Sequence, residues 1–314
     1  MRVTATIGLR GLRGRAQLRY AVGMSSDDNP GEGLLGEESM LTTQDGRHLR
    51  TMVRGDGTDL VVFEAGMGIS GLYWGAVHER LAAHAQVVAC ERAGYGGSDP
   101  DHQPRTLAHL VADLETVINV FPHRRLVLVG HSWGGPIVRV VAALRLKRGQ
   151  PVTGIVLVDQ TDENSGMYFS RTMRRQFSAQ AALMVPLARL RILGTLSRRT
   201  IVGLPEPIRD AVIASSCTPT AARATAAEQR HVIDGLQGLH EAPAVLGDLP
   251  VRVISGQRSG TFDTKARTSI IRAHKETVAQ NPGAHFVPAE HSGHMVPVTE
   301  PGLVATEVLA ILNT

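Results

Sequence analysis

The chain has 314 residues, 43% of them apolar, 4% aromatic and 20% charged, with a formal net charge of +4. That is enough apolar material for a large, mostly aliphatic core, and no apolar run is long enough to cross a bilayer as one helix. The positive excess does not imply a nucleic-acid-binding face: Arg2, Arg10, Arg13, Arg15 and Arg19 precede the first acid, Asp27, and without them the rest of the chain carries about −1.

The N-terminal leader has no continuous apolar core and no convincing cleavage site, so it is a poor secretion signal. It reads as a disordered tail; the competing reading is a short basic amphipathic helix touching anionic lipid. Residues 25–38, rich in Gly, Asp, Ser and Pro, read as a linker. Residues 40–43 and 48–53 flank Asp45-Gly46, a hairpin signal. An apolar run over 60–65 closes on Gly66, Gly68 and Gly71; a helical stretch over 74–84 then leads into a strand at 86–90. A Gly-rich turn over 92–100 precedes helical spacing over 106–121. Short, uninterrupted apolar strands are expected at 126–129, 155–158, 251–254 and 285–287, with helices at 133–147, 265–280 and 301–312.

Strands of this kind alternating with helices predict an α/β fold whose mostly parallel sheet is covered on both faces. Residues 162–244 show helical spacing and no strand pattern, and read as a helical cap inserted above the sheet. The expected organisation is a leader and linker over 1–37, a core over 38–161 and 245–314, and the cap between them. Cys90 and Cys217, the two cysteines, make no disulfide framework, which fits a reduced, cytoplasmic setting. No zinc-ligand spacing occurs, and neither a metal nor an organic cofactor is expected.

The segment richest in chemistry is Leu126-Val127-Leu128-Val129-Gly130-His131-Ser132-Trp133-Gly134-Gly135. It reads as strand, Gly-x-Ser-x-Gly turn, then helix. A nucleophilic serine needs such a bend to lift its hydroxyl clear of the sheet, and small flanking residues let strand and helix pack around it. The helix N-terminus adds positive potential, and the Trp133 N–H is available to an oxyanion. The alternative is an ordinary strand-to-helix turn with a capping serine. Near the far end, Ser292-Gly293-His294-Met295 follows the last strand, and an imidazole there is suited to general-base work.

Four separated segments carry a family resemblance: Glu64-Ala65-Gly66-Met67-Gly68, Glu91-Arg92-Ala93-Gly94-Tyr95-Gly96-Gly97-Ser98, the Ser132 turn, and Ser292-Gly293-His294-Met295. In order and spacing the chain from about Glu38 onwards resembles the α/β-hydrolase superfamily. The resemblance implies an eight-stranded, mostly parallel sheet with a cap after the sixth strand, and puts the catalytic histidine at His294 rather than His291. His131 falls at a variable position and reads as a packing or supporting group. The first oxyanion donor is implied at the Met67 N–H, the second being Trp133 N–H. The segment from Glu91 to Ser98, with Glu91 where the family has Asp, reads as structural, holding the loop near the site; Glu64 has no evident role.

The acid is where this sequence departs from the pattern. Many relatives carry an Asp after the seventh strand, where this chain has Ser259. Two rescues are open. Asp159 ends the sixth strand, close enough across the sheet to approach the histidine; Asp263 would serve if the loop after strand seven is lengthened. Asp159 is favoured, and Asp162 and Glu163 are outside chances. Met167, Tyr168, Phe169, Met173, Phe177, Leu183, Met184 and Leu187 are expected either to line an apolar roof or to form the insertion's own core. The expected function is a serine hydrolase acting on a small apolar ester through an acyl-enzyme, with no nucleic-acid partner and no stable membrane insertion. Other triad chemistry (aminopeptidase, thioesterase, C–C hydrolase) and a non-catalytic ligand receptor are the rivals. The sequence leaves the oligomeric state open.

Overall fold

The computed structural model describes residues 31–260 and 264–314. Its frame is one eight-stranded sheet: β1 (Glu37–Thr42), β2 (His48–Arg54), β3 (Asp59–Glu64), β4 (Gln86–Cys90), β5 (Arg125–His131), β6 (Gly154–Val158), β7 (Val251–Gly256) and β8 (Ala284–Ala289). The spatial order is β1-β2-β4-β3-β5-β6-β7-β8. β1 and β2 form the hairpin and pair antiparallel, as do β2 and β4, while every pairing from β4 to β8 is parallel.

The apolar runs bury both faces because alternate side chains point to opposite sides. Val127 and Val129 of β5 join Val61, Phe63, Val156 and Ile254 in one core, under α1 (Gly75–Leu81) and the last helix, Pro301–Leu312. Leu126 and Leu128 join Leu60, Val62, Ile155 and Val253 in the other, under α2 (Leu107–Val120) and α3 (Gly134–Lys147). The helical stretch expected over 74–84 begins earlier, as a 3-10 turn over Gly71–Trp74, because Ser70 caps the Leu72 N–H.

The linker reading of residues 25–38 extends too far. Leu35 is buried in the first core and β1 starts at Glu37, so the described end of that stretch is anchored. The leader expected over 1–24 lies outside the described residues. Between β6 and β7 the chain carries a 3-10 turn (Gly166–Phe169), then α4 (Arg171–Arg189), α5 (Ile192–Arg198), α6 (Glu206–Ser216) and α7 (Pro219–Glu241). After β7 come α8 (Thr264–Gln280) and, after β8, α9 (Val296–Thr299) and α10 (Pro301–Leu312). No single described helix is long and apolar enough to cross a membrane.

Candidate active site

Ser132 stands where β5 turns into α3, with φ of 52°. This left-handed conformation costs a residue with a β-carbon about 1–2 kcal/mol. Local hydrogen bonds hold it there: Ser132 N–H donates to the Val158 carbonyl (3.1 Å), and its carbonyl accepts from Gly135 (3.0 Å) and Thr161 (2.9 Å). The flanking glycines answer to space. A β-carbon at Gly130 would overlap the Gly134 carbonyl, and one at Gly134 would overlap the carbonyl of Glu64 on β3.

Asp159, at the end of neighbouring β6, also has positive φ, 40°. Its Oδ2 accepts from His294 Nδ1 at 2.7 Å. Its Oδ1 accepts from the Gly256 N–H at 2.9 Å and from Arg267 Nη1 at 2.6 Å. Burial pushes the Asp159 carboxyl up, but the hydrogen bond and charge of His294, with His274 and Arg267 behind them, outweigh it and hold the group well below the usual carboxylate range. The Asp159 side chain is 1% exposed and that of His294 49%, so the imidazole is anchored from below and open above.

The loop after β8 brings His294 in, and His131 fastens that loop. His131 Nε2 donates to the His294 carbonyl at 2.9 Å, and the two rings lie 4.7 Å apart. Burial, then the charge of His294, pushes His131 down to about 3, so it stays neutral and keeps this proton. Ser132 Oγ has Thr161 Oγ1 as its hydrogen-bond partner, at 3.5 Å, so in this rotamer it makes no bond to His294. The Tyr168 hydroxyl lies beside Thr161 and is raised above its ordinary value by burial.

The backbone around Met67 is held from behind by Arg92. Arg92 Nη1 donates to Glu64 Oε1 (2.6 Å) and the Ala65 carbonyl (2.7 Å), and Nη2 to the Gly66 carbonyl (2.7 Å). Its other edge reaches Glu228 on α7, at 3.1 Å for both contacts. A trans peptide sets N–H opposite C=O, so the Met67 N–H is turned away from Arg92. A β-carbon at Gly66 would sit 3.2 Å from Ser132 Cβ, which shows how closely this loop approaches the serine. Neither the Met67 nor the Trp133 N–H has an acceptor among the described residues.

The remaining sequence candidates fall elsewhere. Asp263 lies outside the described residues. His291 is exposed, its N–H bound to Glu300 Oε2 at 3.1 Å. Asp162 is buried and accepts from Gln160, Asn164 and Thr277. Glu163 forms a buried two-bond pair with Arg139 at 2.7 and 2.6 Å. Glu91 ties Ser70, Gly97 and Arg50 together. Glu64, without a role in the sequence, is the ion-pair partner of Arg92. Among the roof residues, Tyr168, Phe169 and Phe177 pack against the second core, whereas Leu183 is 56% exposed and faces out. Sequence reasoning placed Arg92 in a segment that holds the loop near the site, without giving it a partner, and missed Arg267 and Thr161. The Glu-Arg-x-Gly turn marked Arg92, but one of the two arginines in α8 and a Thr after β6 carry no local signal.

A family model described as alpha/beta hydrolase family matches residues 61–307. The chain belongs to that family. An uncharacterized protein of Mycobacterium tuberculosis is 25% identical over 256 residues, 77% of this chain and 71% of the relative. Among solved structures, an epoxide hydrolase mutant from Vigna radiata has a TM-score of 0.73 at 14% identity, covering 88% of this chain and 98% of that one. A thermophilic esterase from Thermogutta terrifontis has a TM-score of 0.64 at 20% identity, again covering 88% and 98%. At these identities the likeness to solved structures is one of fold. Family membership supports hydrolase chemistry, and the kind of bond cleaved has to be argued from the residues.

Proposed function

We propose that the protein is a serine hydrolase that cleaves a small apolar carboxylic ester. Ser132 Oγ attacks the carbonyl carbon while His294 Nε2 takes its proton. Asp159 keeps the other imidazole proton on Nδ1 and stabilises the imidazolium. The carbonyl oxygen becomes an oxyanion received by the Met67 and Trp133 N–H groups. Collapse expels the alcohol, which takes the proton from His294. A water then attacks the acyl-enzyme by the same route and releases the acid.

The observation that carries this reading is the 2.7 Å His294–Asp159 hydrogen bond, made at the end of the strand next to the one bearing Ser132. In the proposed step the serine hydroxyl leaves Thr161 and turns toward the imidazole when substrate arrives. Residue identity separates ester hydrolysis from epoxide opening: the latter calls for a carboxylate nucleophile, and residue 132 is a serine. In this reading the helices between β6 and β7 form a cap over the site, with Tyr168 and its aromatic neighbours supplying the apolar side.

A fluorophosphonate probe tests the proposal. The expected result is stoichiometric labelling at Ser132, abolished in Ser132→Ala, together with turnover of p-nitrophenyl esters that falls off with acyl-chain length. A folded protein that binds esters but neither labels nor turns them over would be the non-catalytic receptor instead.

A further inference from the structure

The segment from α4 to the start of α6 has a surface that hydrolysis at Ser132 does not use. From Asn164 through Pro205 there is no aspartate or glutamate, and arginine occurs seven times. All seven are exposed. Arg174 and Arg198 pair with Asp234 and Asp210, and the other five have no ion-pair partner among the described residues. The same segment holds Leu183 (56% exposed), Leu190 (69%), Ile192 (41%), Leu196 (50%) and Val202 (66%). Of the large apolar side chains left exposed among the described residues, one other, Val245, lies outside it.

The geometry gathers these features into a corner. α4 and α5 meet at an angle of 105°, and the chain turns at Arg191, which has φ of 58°. Arg189, Leu190, Arg191 and Ile192 therefore follow one another around an exposed knuckle, apolar and cationic side chains alternating. The helix pair has the length and apolar composition of a membrane span only when taken together, and it is bent by 105° at its break.

We propose that this corner is a peripheral docking face for an anionic lipid surface. Leu190, Ile192 and Leu196 would enter the boundary between headgroups and acyl chains, with the flanking guanidinium groups at phosphate level. Charge decides against one other occupant and side-chain composition against another. A second copy in a two-fold contact would set arginine against arginine. A nucleic acid would leave the apolar side chains without a role, since the corner has no aromatic ring on which bases could stack. The inference does not depend on Ser132 being a nucleophile.

The test is sedimentation of the full chain with vesicles of neutral phosphatidylcholine and of phosphatidylcholine with phosphatidylglycerol. Stronger partitioning onto the anionic vesicles is expected, weakening as salt rises. Leu190→Ser/Ile192→Ser should lower it at least about tenfold. Arg189→Gln/Arg199→Gln, at exposed positions where folding is not at stake, should lower it by about fivefold per arginine. Equal partitioning onto both vesicle types would overturn the proposal. So would anionic binding that both variants retain, which would assign it to another part of the chain. A concentration-dependent dimer that Leu190→Ser/Ile192→Ser abolishes would give the face to a second copy.

Discussion

Replacing Asp159 by asparagine tests the proposed mechanism at its most specific point, because the surrounding bonds dictate which way the new amide turns. Oδ1 of Asp159 accepts two hydrogen bonds, from the Gly256 N–H and Arg267 Nη1, while Oδ2 accepts one, from His294 Nδ1. Two donors fixed on one side require the oxygen of the new amide to remain there. The NH₂ then faces His294 Nδ1, which must become an acceptor, and the imidazole proton moves to Nε2. That is the wrong tautomer for taking a proton from Ser132. Where this tautomer error has been isolated in a serine protease, kcat falls by about 10⁴, and a loss of at least about 10² is expected here. The fold should survive, since Arg267 keeps a hydrogen bond to the amide oxygen and to the Gly256 carbonyl (3.3 Å); losing the charge on its partner costs about 1–3 kcal/mol. Ester turnover and the rate of fluorophosphonate labelling should fall together, with KM little changed. Asp263→Asn serves as the comparison and should leave both near the parent values. Full activity in Asp159→Asn, or a larger loss in Asp263→Asn, would refute the reasoning.

Arg92→Lys keeps the charge but not the planar fork that holds the Ala65 and Gly66 carbonyls; kcat should drop about tenfold or more, short of the 10²–10³ lost with a whole oxyanion donor, with KM spared. An unchanged kcat would show that Arg92 does not orient the Met67 peptide. Acid should weaken the fold early: burial pushes His78 down to about 4 and His131 to about 3, so below about pH 6.5 the unfolded chain binds protons that the folded one refuses. Stability then falls as pH falls, by about 2 kcal/mol for each histidine between pH 7 and 5, measurable as a lower urea midpoint. His78→Phe, beside Phe63, should remove its share of that slope.

Much of the frame was legible because it obeys local rules. The strand at 86–90 and the helix at 301–312 appear at their expected bounds, since each is a saturated apolar pattern punctuated by glycine, proline or charge. The Ser132 turn was legible for the same reason: steric crowding at Gly130 and Gly134 leaves a sequence trace. What the sequence did not yield depends on partners far along the chain. Arg92 meets Glu228 across 136 residues, and Arg267 meets Asp159 across 108. Leu35 sits among polar, glycine-rich neighbours, and its burial follows from the first core lying beneath it rather than from any periodicity of its own.

Taking Asp159 as the acid of the proposed mechanism also accounts for how the end of the sheet is assembled. In the proposed reading the acid sits at the end of β6, so β7 and α8 need present no carboxylate at the position, Ser259, where the family resemblance expects an Asp. In its place they supply two donors, the Gly256 N–H and the Arg267 guanidinium, and both converge on one oxygen of Asp159. The positive φ of Asp159 turns its side chain up at the end of β6, and the Asp159 N–H, donating to the Ile254 carbonyl at 2.7 Å, ties that turn to β7. With the acid on β6, β7 and α8 clamp the carboxylate instead of carrying it. The clamp fixes which oxygen is left for the imidazole, and that in turn fixes the proton on Nδ1.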